Sequence, residues 1–249
     1  MANIVSMTER LLLEAGVGPG MRVLDLGCGG GEVSFLLAKL VGAEGQVVGL
    51  DQNAQALALA RERAREQNLA NVTFIQGDVH DPLPDPGPFD AVAGRRVLMY
   101  LREPVEALRR ISAFLQPGGL AVFQESDSTM FPGRLAPFPL HERVHDWMWR
   151  TVALEGADVH MGFKLASVLA KAGFSVEHVR AEAVVQGKDT QPALADIVRM
   201  MLARIVGQGV ASEREIDIAT LHERLDAELR GAESTYISDL AFGVWARKP

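Results

Sequence analysis

The ten residues Val23-Leu-Asp-Leu-Gly-Cys-Gly-Gly-Gly-Glu32 constrain this 249-residue chain more than any other stretch. An apolar run bounded so closely by glycine is too short for a helix and reads as a buried strand. The glycines at 27, 29, 30 and 31 let the backbone turn sharply and let a ligand approach without obstruction by a Cβ. A helix opening directly after them presents free N–H donors at its start. In the dinucleotide-binding spacing G-x-G-x-x-G the third glycine, counted from Gly27, would fall at position 32, where Glu32 stands.

Further Val- and Leu-rich runs follow at short spacing: Gln46 to Leu50, Val72 to Ile75 and Phe89 to Ala93. Between them lie segments of helical composition, Val33 to Val41 and Ala54 to Asn68, the second with a charged run, Arg61 to Glu66, suited to a solvated face. A helix from Pro104 to Leu115, a turn at Gln116-Pro-Gly-Gly119 and a strand from Leu120 to Glu125 continue the alternation. Strands alternating with helices predict an α/β fold: a doubly wound parallel sheet with right-handed crossovers. After Ser126 a loop marked by Pro132, Gly133, Pro137 and Pro139 leads into helices at Leu140 to Leu154 and Lys164 to Ala172 and a strand at Phe174 to Val185. A helical stretch from Gln191 to Arg230, too long for an ordinary connection, precedes a last strand at Tyr236 to Ala246. The expectation is one domain over 1–249, with 127–162 and 191–230 inserted as α-helical caps.

Composition narrows the partners. With 25 Lys and Arg against 32 Asp and Glu, the net charge of -7 supplies no basic field for a phosphate backbone, so no nucleic-acid partner is expected. Cys28 is the single cysteine, which excludes an intrachain disulfide and thiolate zinc sites. No run approaches eighteen apolar residues and the N-terminus lacks the apolar core of a signal peptide, so no membrane association and a cytoplasmic location are expected. The sequence is compatible with a homodimer and does not fix an oligomeric state.

Two acids extend the glycine signal. Asp51 closes the second strand about twenty residues beyond the loop, where a carboxylate can accept hydrogen bonds from the vicinal hydroxyls of a ribose. Asp78, in Gln76-Gly-Asp-Val79, follows the third strand at the same edge, where it can receive an adenine amino group while Val79 packs on the ring. With Asp25, Gly27, Gly29 and Gly31 as first motif, Asp51 and Asp78 as second and third, Phe89-Asp-Ala-Val-Ala-Gly94 as fourth and Leu115-Gln-Pro-Gly-Gly-Leu120 before the fifth strand, the chain resembles the class I S-adenosylmethionine-dependent methyltransferases. That resemblance spans roughly half the chain and implies a Rossmann-like sheet of about seven strands, mostly parallel, with the last inserted antiparallel. It also implies that Gly27 to Gly31 wrap the methionine part of the cofactor, that Asp51 holds the ribose, that Gln52, Asp78 and Val79 flank the adenine, and that Arg95 lies beside the methionine and the acceptor entrance.

A sulfonium methyl is already activated, so transfer needs an acceptor held in line in a site that excludes water. A base is needed only where the acceptor must lose a proton. Candidates are His141 and His145 on a helix with Trp149, His160 in a loop, and Glu125 and Asp127 at the end of the fifth strand. Arg96 and Tyr100, after the fourth strand, and Trp149 are candidates to contact the acceptor. His141-Glu142-Arg-Val-His145 is also a literal HExxH, but Thr151 stands where the longer peptidase motif has its third histidine, and no metal is expected. Met130, Met148, Met161, Met200 and Met201 suit either core packing or an adaptable apolar pocket. No asparagine-proline-proline-aromatic tetrad follows the fourth strand, which turns the expectation to methyl transfer onto an O, N or C atom of a small, rather apolar metabolite. The alternative from another class is a protein that binds S-adenosylmethionine without transferring methyl, in a rearrangement or as a binding module.

Overall fold

The computed structural model describes residues 2–81, 87–129, 133–190 and 194–249, with the side chains of 2–5 left out. The element order is α1 (Ala2–Glu14), β1 (Arg22–Leu26), α2 (Glu32–Val41), β2 (Gln46–Asp51), α3 (Ala54–Glu66), β3 (Val72–Gln76), β4 (Phe89–Arg95), α4 (Pro104–Phe114), β5 (Leu115–Asp127), β6 (Gly133–Arg134), α5 (Pro139–Leu154), α6 (Met161–Lys171), β7 (Ser175–Gln186), α7 (Leu194–Gly207), α8 (Glu213–Ile216), α9 (Leu221–Gly231) and β8 (Tyr236–Arg247). One turn of 3-10 helix, Leu98–Tyr100, links β4 to α4.

These strands form one eight-stranded sheet in the order β3-β2-β1-β4-β5-β8, with β6 and β7 both paired to β8. Strands β1 to β5 pair parallel, and β8 runs antiparallel to β5, β6 and β7. The expected antiparallel last strand is present, and the expected count of about seven rises to eight because the two-residue β6 pairs with the first residues of β8. The Gln116 to Gly119 turn is an irregularity inside β5: Phe89 pairs with Leu115 and Ala91 with Leu120, and Gly118 takes φ 75°.

Alternation along each strand builds two cores, because successive side chains point to opposite faces. Val23, Val47, Ala91, Ala93 and Val122 pack under α1 and α2, whereas Leu24, Val48, Val92, Ala121 and Phe123 share a cluster with residues of α4 to α9. Helix α1 was not anticipated; its Leu11 and Leu12 are buried. Proline at the first turn starts α4 and α5, where a missing N–H costs nothing. Asn53 caps α3 by accepting from the N–H groups of Gln55 and Ala56. The helical stretch expected over 191–230 is three helices, α7 to α9; a capping box between Ser212 and Glu215 starts α8. Gln191, Met130 and Pro132 lie outside the described residues. Among the described residues no helix is long and apolar enough to cross a membrane.

Candidate active site

The glycine turn opens at the carboxyl end of β1. Gly27, Gly29 and Gly31 have φ of 65°, 49° and 86°, a region that L side chains avoid. At Gly27 a Cβ would lie 2.5 Å from Val97 Cγ2, and at Gly31 it would strike the Phe35 ring, so packing demands glycine there. A Cβ on Gly29 would meet nothing within 4 Å, so this glycine faces open space. Asp51 joins the turn from β2: Oδ2 accepts from Gly29 N at 2.8 Å and Oδ1 from Asn53 N at 2.8 Å. Asp25 lies beneath the turn, 1% exposed, and accepts from Ser34 Oγ at 2.5 Å. Burial raises its carboxyl to about 7, against the opposing Ser34 bond and the Arg95 charge. Asp25 therefore braces the start of α2 from below.

Beside the turn, Gln52 Nε2 donates to Asp78 Oδ2 at 3.0 Å, and Asp78 Oδ1 receives the backbone N–H of His80 and faces its Nδ1 at 2.8 Å. Those His80 contacts hold the Asp78 carboxyl below its ordinary value. Val79 is buried in the core next to this exposed pair. Cys28, inside the turn, is buried, and desolvation pushes its thiol up, so it is a filler without thiolate character. The three strand ends β1, β2 and β3 thus bring the glycine turn, Asp51, Gln52 and Asp78 to one edge, with open space beside Gly29.

On the other side of the turn, Glu32 and Arg95 form an ion pair, and Arg95 Nη1 also reaches Thr8 Oγ1 at 3.4 Å. Both residues line a cavity of about 300 Å³. Arg96, in the left-handed region at φ 52°, lines it too, its backbone N–H held by Gln124 O at 2.9 Å. Tyr100 and Trp149 contribute to the wall, as do Met148, Met200 and Met201. Ser126, Tyr236, Ser238 and Asp239 give it polar groups from β5 and β8, and α5 and α7 supply most of its apolar lining.

Of the catalytic candidates, His145 alone lines this cavity. Burial lowers its imidazole to about 3, which leaves it neutral and weakly basic. The stripe expected along α5 divides: Trp149 and His145 face the cavity, whereas His141 is 0% exposed, with Nδ1 2.6 Å from Glu228 Oε2. Its ring is enclosed by Phe138 and Tyr236. The other half of HExxH, Glu142, is paired with Arg134, and among the described residues no three His, Cys, Asp or Glu side chains gather as a ligand set. His160 is an exposed loop residue bonded to Thr129 Oγ1 at 2.9 Å. Glu125 is fully buried outside the cavity lining, where Oε1 accepts from Val97 N and Leu98 N at 3.0 and 2.8 Å and burial raises the carboxyl to about 7. Asp127 accepts from Thr129 N and Phe163 N. Both β5 acids cap loops and helix starts, because side chains alternate along the strand: Ser126 lines the cavity, whereas Glu125 and Asp127 point to the opposite face. Met161 is core, 1% exposed. Asp239 and Tyr236, which line the cavity, escaped sequence reading.

A family model described as a methyltransferase domain matches residues 18–173, more than half of the chain. A 2-phytyl-1,4-naphtoquinone methyltransferase of Synechococcus elongatus is 44% identical over 105 residues, covering 41% of this chain and 45% of that protein. A demethylmenaquinone methyltransferase of Staphylococcus carnosus is 32% identical over 136 residues, covering 52% and 56%. The chain therefore spans about half the length of the curated relatives it matches. The crystal structure of a SAM-dependent methyltransferase from Aquifex aeolicus superposes with a TM-score of 0.58 at 20% identity, over 97% of this chain and 89% of that one. With the matched domain covering the glycine turn, Asp51 and Asp78, this chain belongs to the class I S-adenosylmethionine-dependent methyltransferases.

Proposed function

We propose that the protein transfers the methyl of S-adenosylmethionine to an O, N or C atom of a small, rather apolar acceptor held in the α5/α7 cavity. The observation that carries this reading is the continuity of the two sites: Glu32 begins α2 directly after the glycine turn and, with Arg95, also lines the cavity. Bound over Gly29, the cofactor supplies an electrophilic methyl. The chain's own part is to bind and orient. Asp51, Gln52, Asp78 and Val79 are assigned to the nucleoside, and Gly27 to Gly31 with Arg95 to the methionine part. Arg96, Tyr100 and Trp149 are assigned to the acceptor.

The segments 127–162 and 191–230 are assigned as the cap that excludes water over the reacting atoms. A mostly apolar cavity with a few polar groups in its wall suits a ring with an apolar substituent. Similarity to quinone methyltransferases points the same way, toward a reduced, hydroxylated naphthalene or benzene ring. The binding-only alternative is not favoured, since the matched relatives are named as methyltransferases.

The test is incubation with S-adenosylmethionine and 2-alkyl-1,4-dihydroxynaphthalenes kept reduced, with chromatographic detection of S-adenosylhomocysteine. Product that rises with acceptor and falls in the Asp51→Ala variant at limiting S-adenosylmethionine supports transfer. Cofactor binding with no product from this series or from simple phenols and amines would overturn it.

A further inference from the structure

We propose that Asp239 is the base that takes the proton from the acceptor's hydroxyl or amino group, its carboxylate held by Ser126 and the backbone N–H of Leu240. This inference rests on the methyl-transfer reading of the cavity, and it deepens that reading by naming who accepts the proton.

Three observations place Asp239 for that task. Because β8 runs antiparallel to β5, its first residues lie at the same edge of the sheet as the carboxyl ends of the parallel strands, where ligands sit in open α/β sheets. The ladder with β7 also slips there: Val184 pairs with Asp239 and Val185 with Ile237, so residue 238 is inserted as a bulge. A bulge re-aims side chains, and here Tyr236, Ser238 and Asp239 all reach the cavity wall, which a regular period of two would not allow. The carboxylate is then fixed at both oxygens. Ser126 Oγ donates to Oδ2 at 2.9 Å, and Leu240 N donates to Oδ1 at 2.8 Å.

Among the described residues lining the cavity, the carboxylates are Glu32 and Asp239. Glu32 is engaged by Arg95. The groups acting on Asp239 come from several elements: Arg96 after β4 favours its charged form, and Asp127 on β5 opposes it. Across the cavity stand neutral His145 on α5 and Arg204 on α7, the latter paired with Glu155. From β7 the cavity wall has only Val184 and Gln186. Burial outweighs the Arg96 charge and raises the Asp239 carboxyl to about 6, which leaves it ionised at neutral pH yet more basic than an exposed aspartate. Tyr236 lies in the same wall, its hydroxyl buried and making no hydrogen bond among the described residues.

The step balances within the site. The acceptor O–H or N–H bond breaks and its proton goes to Asp239. The freed electron pair forms the bond to the methyl carbon as the carbon–sulfur bond breaks, its electrons returning to sulfur to leave a neutral thioether. Release of the proton to solvent resets the carboxylate.

Two readouts test the assignment. With the dihydroxynaphthalene series as acceptor, Asp239→Asn should lower kcat by about 10²- to 10⁴-fold and remove the acidic limb near pH 6, with cofactor affinity by calorimetry unchanged. Asp239→Glu should restore part of the rate. The second readout needs no turnover: absorbance of bound 4-nitrophenol reports its ionisation, and replacing the carboxylate by an amide should let it ionise at least one pH unit lower. A folded Asp239→Asn variant with normal cofactor binding that keeps kcat within threefold, or an unchanged nitrophenol titration, overturns the inference. A wild-type protein that binds cofactor but turns over no acceptor defeats the transfer reading, while the nitrophenol titration still decides whether Asp239 holds a proton-bearing ligand.

Discussion

Gly29 N donates to Asp51 Oδ2 at 2.8 Å, which makes the turn after β1 and the acid after β2 one hydrogen-bonded unit. The same carboxylate caps Asn53, which itself caps α3. Asp51→Ala therefore removes two backbone anchors along with the acceptor assigned to the ribose. Losing hydrogen bonds to a charged group costs about 1.5–3 kcal/mol in binding, or roughly 10- to 150-fold in cofactor Kd. Calorimetric titration with S-adenosylmethionine checks it; Asp51→Asn, which keeps one oxygen acceptor, should fall between.

Gly27 and Gly29 should respond differently to a single methyl. Each holds a positive φ, worth roughly 1–2 kcal/mol of strain for an alanine. Gly27→Ala adds a 2.5 Å approach to Val97 and should lower Tm well beyond that strain. Gly29→Ala meets nothing in the protein, so thermal melting should show the strain alone while cofactor binding is lost, because the new methyl occupies the ligand's space. Equal loss of stability in both would refute the assignment of Gly29 to the cofactor.

How much of this could be read in the sequence follows from the range of the signals. The glycine turn, Asp51 and Asp78 were legible because each is a local pattern at the end of a parallel strand, and the alternation fixed their common edge. Asp239 was hidden because its position depends on β8 running antiparallel and on a bulge at residue 238, neither of which leaves a local mark. His141 and His145 share a helical stripe, yet four residues along α5 carry one behind Tyr236 and leave the other at the cavity wall. Glu125 reads as a strand-end acid open to an acceptor, but the 3-10 turn at Leu98 folds over it and takes its charge. Helix α1 carries no glycine or strand pattern to announce it and docks on a sheet face that other helices only partly cover.

Buried acids should make stability fall as pH rises. Glu125 moves from 4.5 to about 7 and Asp25 from 3.8 to about 7, both through burial. A carboxyl with a raised folded pKa binds its proton more tightly in the folded state, so stability is full below the unfolded value and declines up to about pH 7. His145, pushed down, acts oppositely below pH 6.5, so the difference between variants is the useful readout. Glu125→Gln keeps an oxygen for the N–H groups of Val97 and Leu98 and removes the buried charge. Urea unfolding at pH 5 and pH 8 should show a flatter pH dependence for the variant and a gain over wild type at pH 8; a parallel dependence would mean the carboxyl is not perturbed.

Trp149 separates acceptor binding from cofactor binding. It lines the cavity from α5 together with Met148 and Val152, and it is partly buried against the main core. Truncating a buried aromatic in a ligand wall removes apolar contact area and leaves a void. Since Trp149 retains some exposure, Trp149→Ala should leave the fold intact, raise the acceptor KM about tenfold or more, and leave the S-adenosylmethionine Kd within twofold. Trp149→Phe keeps a ring and should recover most of the KM. The chain has three tryptophans, and Trp147 and Trp245 are not in the cavity wall, so acceptor-dependent quenching should come from Trp149 alone and vanish in either variant. Quenching that persists in Trp149→Phe would place the acceptor elsewhere, even if turnover survived.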